Sequence, residues 1–196
     1  MNAKDLGVSR ETFAKLTDFE RLLKKWSAKI NLVSKSSIHD FWTRHVVDSL
    51  QLSQFAAGGT WLDLGSGGGF PGLVLGIASP GTPMILVESD QRKCAFLRHV
   101  AQELDLKVRV LSQRIEGCPP QDASVVSARA LAPLGKLLGY GQRHVADDGI
   151  CVFPKGKMWQ EELREAQQQW SFDWEVVNSK TQEDSAILII RKIKRV

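Results

Sequence analysis

Apolar residues follow two different rhythms along the chain. Up to about residue 58 they recur at helical spacing. Phe13, Leu16, Phe19, Leu23 and Trp26 form one stripe, Arg21, Lys24, Lys25 and Lys29 occupy the other side, and Ser9 stands where an N-cap belongs. Ile38, Phe41, Trp42, Val46 and Leu50 form a second stripe, and Ser37 with Asp40 three residues on predicts a capping box at its start. From Thr60 onward short apolar runs alternate with helical patterns, the signature of a mostly parallel sheet covered on both faces.

The predicted strands cover residues 61–64, 84–88, 108–111, 125–128, 150–153, 174–177 and 186–190. Between them the pattern predicts a helix from Pro71 to about Ile77 and a helix capped by Asp90 with Phe96, Leu97, Val100, Ala101 and Leu104 inside. A helix after Pro133 carries Leu134, Leu137 and Leu138, and a short one follows over 161–169. The last strand, Ala186-Ile187-Leu188-Ile189-Ile190, is apolar at every position and needs both faces covered, whereas 173–177 mixes polar with apolar. The final strand therefore inserts antiparallel between strand five and an edge strand six. The expected architecture is α/β, a seven-stranded mostly parallel sheet with an antiparallel last strand. Residues 1–58 form an N-terminal helical cap on a core of residues 59–196.

The stretch that organises this core is Trp61-Leu62-Asp63-Leu64-Gly65-Ser66-Gly67-Gly68-Gly69-Phe70-Pro71-Gly72, a buried strand ending in a glycine loop. Such a loop admits positive φ and lets a ligand approach main-chain N–H groups closely. Two cofactors compete for it. Gly67, Gly69 and Gly72 satisfy the dinucleotide fingerprint, and Glu88, about 20 residues on, would hold a ribose hydroxyl. Asp63, Gly65, Gly67 and Gly69 instead form Asp-x-Gly-x-Gly-x-Gly, with an acid that would repel a pyrophosphate and favour the ammonium and sulfonium of S-adenosylmethionine. The second reading is the stronger.

Composition changes this picture little. A net charge of +4 and a pI near 9.0 suit a phosphate-bearing partner without requiring one. Cys94, Cys118 and Cys151 are odd in number and widely spaced, which argues against a disulfide framework or a zinc knuckle. His39, His45, His99 and His144 lack metal-ligand spacing, so no metal is expected. The N-terminus is polar, and no apolar run approaches the roughly 18 residues of a membrane span, so a cytoplasmic protein without membrane attachment is expected.

Five runs carry a more specific signal: Asn31-Leu32-Val33, Arg44-His45-x-x-Asp48-Ser49, DLGSGGGFPG at 63–72, SARALAPL at 127–134 and Pro154-Lys155-Gly156. Together they resemble the bacterial 16S ribosomal RNA guanine-N7 methyltransferases, the glucose-inhibited division protein B family, over nearly the whole chain. The resemblance implies a Rossmann-like class I methyltransferase fold, S-adenosylmethionine as cofactor and the small ribosomal subunit's 16S rRNA as partner. It implies N7 of guanine 527 in the 530 loop as target. A monomer is expected. Gly65, Gly67 and Phe70 would contact the cofactor, Glu88 its ribose, and Ile115 and Glu116 its adenine, while Arg129 would face its methionine end. Each has a plainer alternative: Ile115 as ordinary core, Glu116 as a surface acid, Arg129 as an ion pair at a helix entry.

On the substrate side the candidates are Arg44, His45, Arg92, Lys93 and Lys155, with Arg98 and Lys157 nearby. Arg44 and Asp48, four apart, would otherwise form a local ion pair. No catalytic side chain is expected, because guanine N7 has an in-plane lone pair and no proton to remove, and positioning does the work. The Asp/Asn-Pro-Pro-aromatic run of exocyclic-amine methylases is missing, with Ser127-Ala128-Arg129-Ala130 in its place. No thiol is placed for a carbon-5 pyrimidine mechanism. Two other classes stay open on sequence: a nicotinamide oxidoreductase, and an RNA-binding relative that has lost the transfer step.

Overall fold

The computed structural model describes residues 1–34, 37–56 and 58–196. Its helices are α1 (Ala3–Leu6), α2 (Arg10–Ser27), α3 (Asp48–Leu50), α4 (Gly72–Ala78), α5 (Gln91–Glu103), α6 (Leu134–His144) and α7 (Trp159–Ala166). Its strands are β1 (Trp61–Leu64), β2 (Met84–Glu88), β3 (Val108–Ser112), β4 (Ala123–Ala128), β5 (Val145–Lys155), β6 (Trp170–Asn178) and β7 (Ala186–Arg195). The sheet order is β3-β2-β1-β4-β5-β7-β6, parallel from β3 to β5, with β7 antiparallel to both neighbours. The insertion of β7 follows from its composition, because Ala186 to Ile190 are at most 2% exposed. β7 runs five residues past that apolar stretch, to Arg195, pairing with a longer β6.

Ser9 caps α2 as predicted, its hydroxyl accepting from Thr12 N. The apolar side of α2 joins the sheet core directly: Leu16, Phe19, Leu22 and Leu23 cluster with Phe41, Phe70, Leu73 and Phe96. Phe19 lies 5.3 Å from Phe70, and 5.7 Å from Phe41 in edge contact. The opposite face of the sheet is covered by α6 and α7 through Leu134, Leu137, Leu138 and Leu163, which cluster with Trp170 at the start of β6.

The predicted capping box at Ser37 does not form. Residues 37–40 are turns, and the Ser37 hydroxyl donates back to the Ser34 carbonyl. Residues Phe41–Val47 then form a π-helix with no side-chain cap before α3 completes a single turn. The wide turn brings Phe41, His45 and Val46 inside together and leaves Thr43 and Arg44 exposed. Insertions of this kind recur at functional sites because they re-aim side chains within a helix.

Candidate functional site

The loop between β1 and α4 takes positive φ at Gly65 (67°), Gly67 (54°) and Gly69 (90°). Gly65 N and Ser66 N donate to the Val87 carbonyl at 2.8 and 3.2 Å, tying the loop to the end of β2. A Cβ on Gly67 would meet only the Gly65 carbonyl, at 3.8 Å, so this turn presents an open face. Glu88, 8% exposed, braces the loop from below: its carboxylate accepts from Gly67 N at 3.0 Å and from Ser89 N and Asp90 N at 2.8 Å each. A carboxylate offers about four lone-pair sites, so about one remains for a ligand hydroxyl.

Asp63 does not face the loop's ligand side. It is fully buried, accepting from Ser127 Oγ at 2.9 Å and from Gly72 N at 3.3 Å, while Trp61 Nε1 donates to the same Ser127 hydroxyl at 2.8 Å. Burial pushes its carboxyl up to about 6 against these hydrogen bonds. Asp63 thus occupies the N-terminal N–H of α4, where a dinucleotide fold would seat a pyrophosphate. The acid separates the two cofactor readings by filling that position, rather than by attracting a cation across the cleft.

Beside the loop lies a cleft of about 1080 Å³. Its walls are the 65–68 stretch, the cap around Leu32 and Arg44, residues 129–133 after β4, residues 154–156 at the end of β5, and the β6–β7 loop. Gly65, Gly67, Phe70, Arg44, His45, Arg129 and Lys155 all line it. Glu88 touches it through Gly67. Ile115 and Glu116 lie outside its lining, in the turn after β3. There Ile115 is buried, and the Glu116 carboxylate accepts from the Tyr140 hydroxyl with Lys136 Nζ 3.8 Å away, which holds its carboxyl below the usual range. Arg92 and Lys93 begin α5, where Arg92 pairs with Asp90 at 2.9 Å.

Arg129 is the most constrained group in the cleft. Its Nη1 donates to Asp48 Oδ2 and to the Arg44 carbonyl at 3.1 Å each, its Nη2 lies 2.9 Å from His45 Nδ1, and its guanidinium lies 5.1 Å from the Phe70 ring centroid. Phe70 is 5% exposed, with His45 stacked on it at 4.5 Å, so these two side chains front the cleft over its ring. Asp48 therefore pairs across 81 residues with Arg129, and the local Arg44–Asp48 pair is not made among the described residues. Sequence spacing pointed to Arg44 and gave no sign of the distant partner.

His45 accepts from Arg129, which has only donors, so the imidazole is neutral with its proton on Nε2. Burial, then the Arg129 and Arg44 cations, push its pKa down to about 4. An unfolded histidine titrates near 6.5, so the unfolded chain binds the extra proton as pH falls. The resulting stability, about 3 kcal/mol, is present above pH 6.5 and lost progressively down to pH 4. Asp63 acts in the opposite sense, adding stability as pH falls from 6 to 3.8. The expected result is that the melting temperature of His45→Phe gains on wild type as pH drops from 6.5 to 4.5; a constant difference in thermal melts would contradict this.

Lys155 is fixed as well. Its side chain is 9% exposed, ion-paired with Glu162 and donating to the Ala132 carbonyl at 3.1 Å, while Glu162 also accepts from Leu134 N at 2.8 Å. The pair fastens the 129–133 segment to α7. Glu162→Gln leaves the lysine charge poorly paired and is expected to lower stability by about 2 kcal/mol in urea unfolding. Among the described residues no three His, Cys, Asp or Glu side chains gather as a metal site, and no helix is long and apolar enough to cross a membrane.

Comparison with known proteins decides the family. The model of the family described as rRNA small subunit methyltransferase G (GidB) matches residues 12–188. The chain belongs to the rRNA small subunit methyltransferase G family. The relative from Ruegeria sp. (strain TM1040) is 49% identical over 98% of this chain and 96% of its own, and the one from Gluconobacter oxydans (strain 621H) is 47% identical over 96% and 98%. Both are named ribosomal RNA small subunit methyltransferase G. Among solved structures, M. jannaschii TYW2 in complex with AdoMet superposes with a TM-score of 0.59 at 17% identity, covering 86% of this chain and 80% of its own. The ribosomal protein L11 methylase of Lactobacillus delbrueckii subsp. bulgaricus gives 0.58 at 14%, over 74% and 77%. These two establish the class I methyltransferase fold, and family membership makes the chain an S-adenosylmethionine-dependent methyltransferase.

Proposed function

We propose that the enzyme transfers a methyl group from S-adenosylmethionine to N7 of a guanine in the 16S rRNA of the small ribosomal subunit, guanine 527 of the 530 loop. The observation that carries this reading is the state of the titratable side chains on the cleft. Asp48 and Arg129 neutralise each other, His45 is neutral and hydrogen-bonded, and Lys155 is paired with Glu162; Asp40 and Arg44 are exposed at the rim. None of the held groups is free to accept a proton, which suits a nucleophile that carries none. The N7 lone pair forms the new bond to carbon, the sulfur–methyl bond breaks, and its electron pair leaves on S-adenosylhomocysteine with no proton moved.

The protein's part is orientation and charge. The open face at Gly67 and the lone-pair site left on Glu88 suit the nucleoside half of the donor, with Ile115 and Glu116 at the adenine. Arg129 suits the donor's carboxylate. Arg44, exposed on the rim, and Arg92 and Lys93 at the start of α5 would meet RNA phosphates, fixing register while in-line geometry lowers the barrier. Such an enzyme acts as a monomer in the cytoplasm, where its ribosomal substrate is. A 7-methylguanosine is cationic and opens to borohydride and aniline, so the target is mapped by strand scission of treated 16S rRNA. Scission expected at guanine 527 supports the reading; uncut RNA, or scission elsewhere, overturns the assignment of the target.

A further inference from the structure

Asp48 and His45 do more than join the cap to the core. A guanidinium has five N–H donors. In Arg129 both donors on Nη1 are taken, by Asp48 Oδ2 and the Arg44 carbonyl, and one on Nη2 is taken by His45 Nδ1. What remains unpartnered among the described residues is Nε–H and one Nη2–H. Where His45 takes the Nη2 hydrogen on the Nη1 side, these two donors lie parallel along one edge of the planar group, the spacing that matches the two oxygens of a carboxylate. The ring of Phe70 supports the guanidinium from one side at 5.1 Å, so its plane is fixed as well as its donors. Asp48 is itself held on its second oxygen, where Oδ1 accepts from Gln51 Nε2 at 2.9 Å and from Thr181 Oγ1 at 2.8 Å, while Gln51 Oε1 accepts from Lys180 N at 3.0 Å. One carboxylate thereby fixes the π-helical cap, the segment after β4 and the β6–β7 loop relative to one another.

We infer that Asp48 and His45 are positioning residues that set Arg129 with one edge open as a two-pronged receptor for the α-carboxylate of S-adenosylmethionine. The inference rests on the cleft being the S-adenosylmethionine site. Asp48→Asn is the decisive substitution, because the amide keeps an oxygen for Thr181 and Gln51 but turns an NH₂ donor toward a guanidinium that can only donate.

The test compares binding of S-adenosylmethionine with binding of its decarboxylated analogue, which keeps the sulfonium and ammonium and lacks only the carboxylate, by titration calorimetry. In wild type the full cofactor is expected to bind at least tenfold more tightly. Asp48→Asn is expected to weaken the full cofactor about tenfold and leave the analogue unchanged. Equal weakening of both cofactors by Asp48→Asn, or no weakening of either, overturns the inference. If Asp48→Asn is unfolded by circular dichroism, His45→Phe keeps the stack on Phe70 and removes the second anchor. It should reduce the preference at least threefold, and an unchanged preference overturns the inference. Wild-type protein that binds neither cofactor would instead overturn the reading of the cleft.

Discussion

Gly65→Val is expected to abolish measurable binding of S-adenosylhomocysteine, with affinity lost by more than 100-fold, while the far-ultraviolet circular dichroism keeps its mixed helix and sheet form. Gly65 has φ of 67°, a region that a β-branched residue reaches only at a cost of about 1–3 kcal/mol. The new side chain also meets the cleft wall: a Cβ built there would lie 2.6 Å from Leu131 Cδ1, so that leucine must rotate. Leu131 itself lines the cleft, in the 129–133 segment that Lys155 and Glu162 anchor, and its rotation reshapes the wall beside the loop. The loop must turn out of its αL conformation, or the cleft wall must move, and either change displaces the surface proposed for the cofactor. Calorimetric titration checks the prediction; micromolar affinity retained in Gly65→Val would remove the loop from the account.

Glu88→Ala is expected to be nearly as severe, for a different reason. Its carboxylate satisfies three main-chain donors at once, on Gly67, Ser89 and Asp90, and so joins the glycine loop to the entry of α5. Removing it should reduce stability by about 2–3 kcal/mol, the order expected when part-buried donors lose an ionised acceptor and cleft water replaces some of it. Binding of S-adenosylhomocysteine should fall by at least 100-fold, through loss of the proposed ribose contact and the slackened Gly67 turn together. Glu88→Gln should lie between wild type and alanine in stability, since one oxygen still accepts from both Ser89 N and Asp90 N while the amide donor opposes Gly67 N–H. Thermal melts with and without S-adenosylhomocysteine check both effects. A full ligand-induced rise in Glu88→Ala would show that the ribose is held elsewhere.

Where structure depends on local pattern, the sequence was a sufficient guide. The run Ala186 to Ile190 could not be an edge strand, and its place between β5 and β6 follows from that single fact. The helical stripe of α2 and its Ser9 cap were equally legible, because propensity, capping and burial agree there. The cap on the second helix was not, since Ser37 and Asp40 fit the box only if an α-helix begins between them. The chain instead makes a serine-bonded turn and a π-helix that places Phe41, His45 and Val46 inward.

The site was legible in its parts and not in its wiring. Gly65, Gly67, Phe70 and Arg129 come together on one cleft, and Glu88 joins them through the loop it supports. The direction of Asp63 could not be read from β1, where all four residues are buried and alternation carries no signal. Nor could the partner of Asp48: an acid four residues from an arginine on a helix has a local explanation ready, whereas its bond to Arg129 exists only once β4 lies beside the cap. Lys155 read as a basic residue near a cleft, and its burial against Glu162 depends on how α7 packs over β5.

Methyl transfer to guanine N7 is tested most directly by one measurement: transfer of labelled methyl from S-adenosylmethionine to small subunits that lack the modification, followed by nucleoside mass spectrometry of the 16S rRNA. The predicted result is label in 7-methylguanosine and in no other nucleoside. Label in another nucleoside, or no label from protein that binds the cofactor and the subunit, would contradict it.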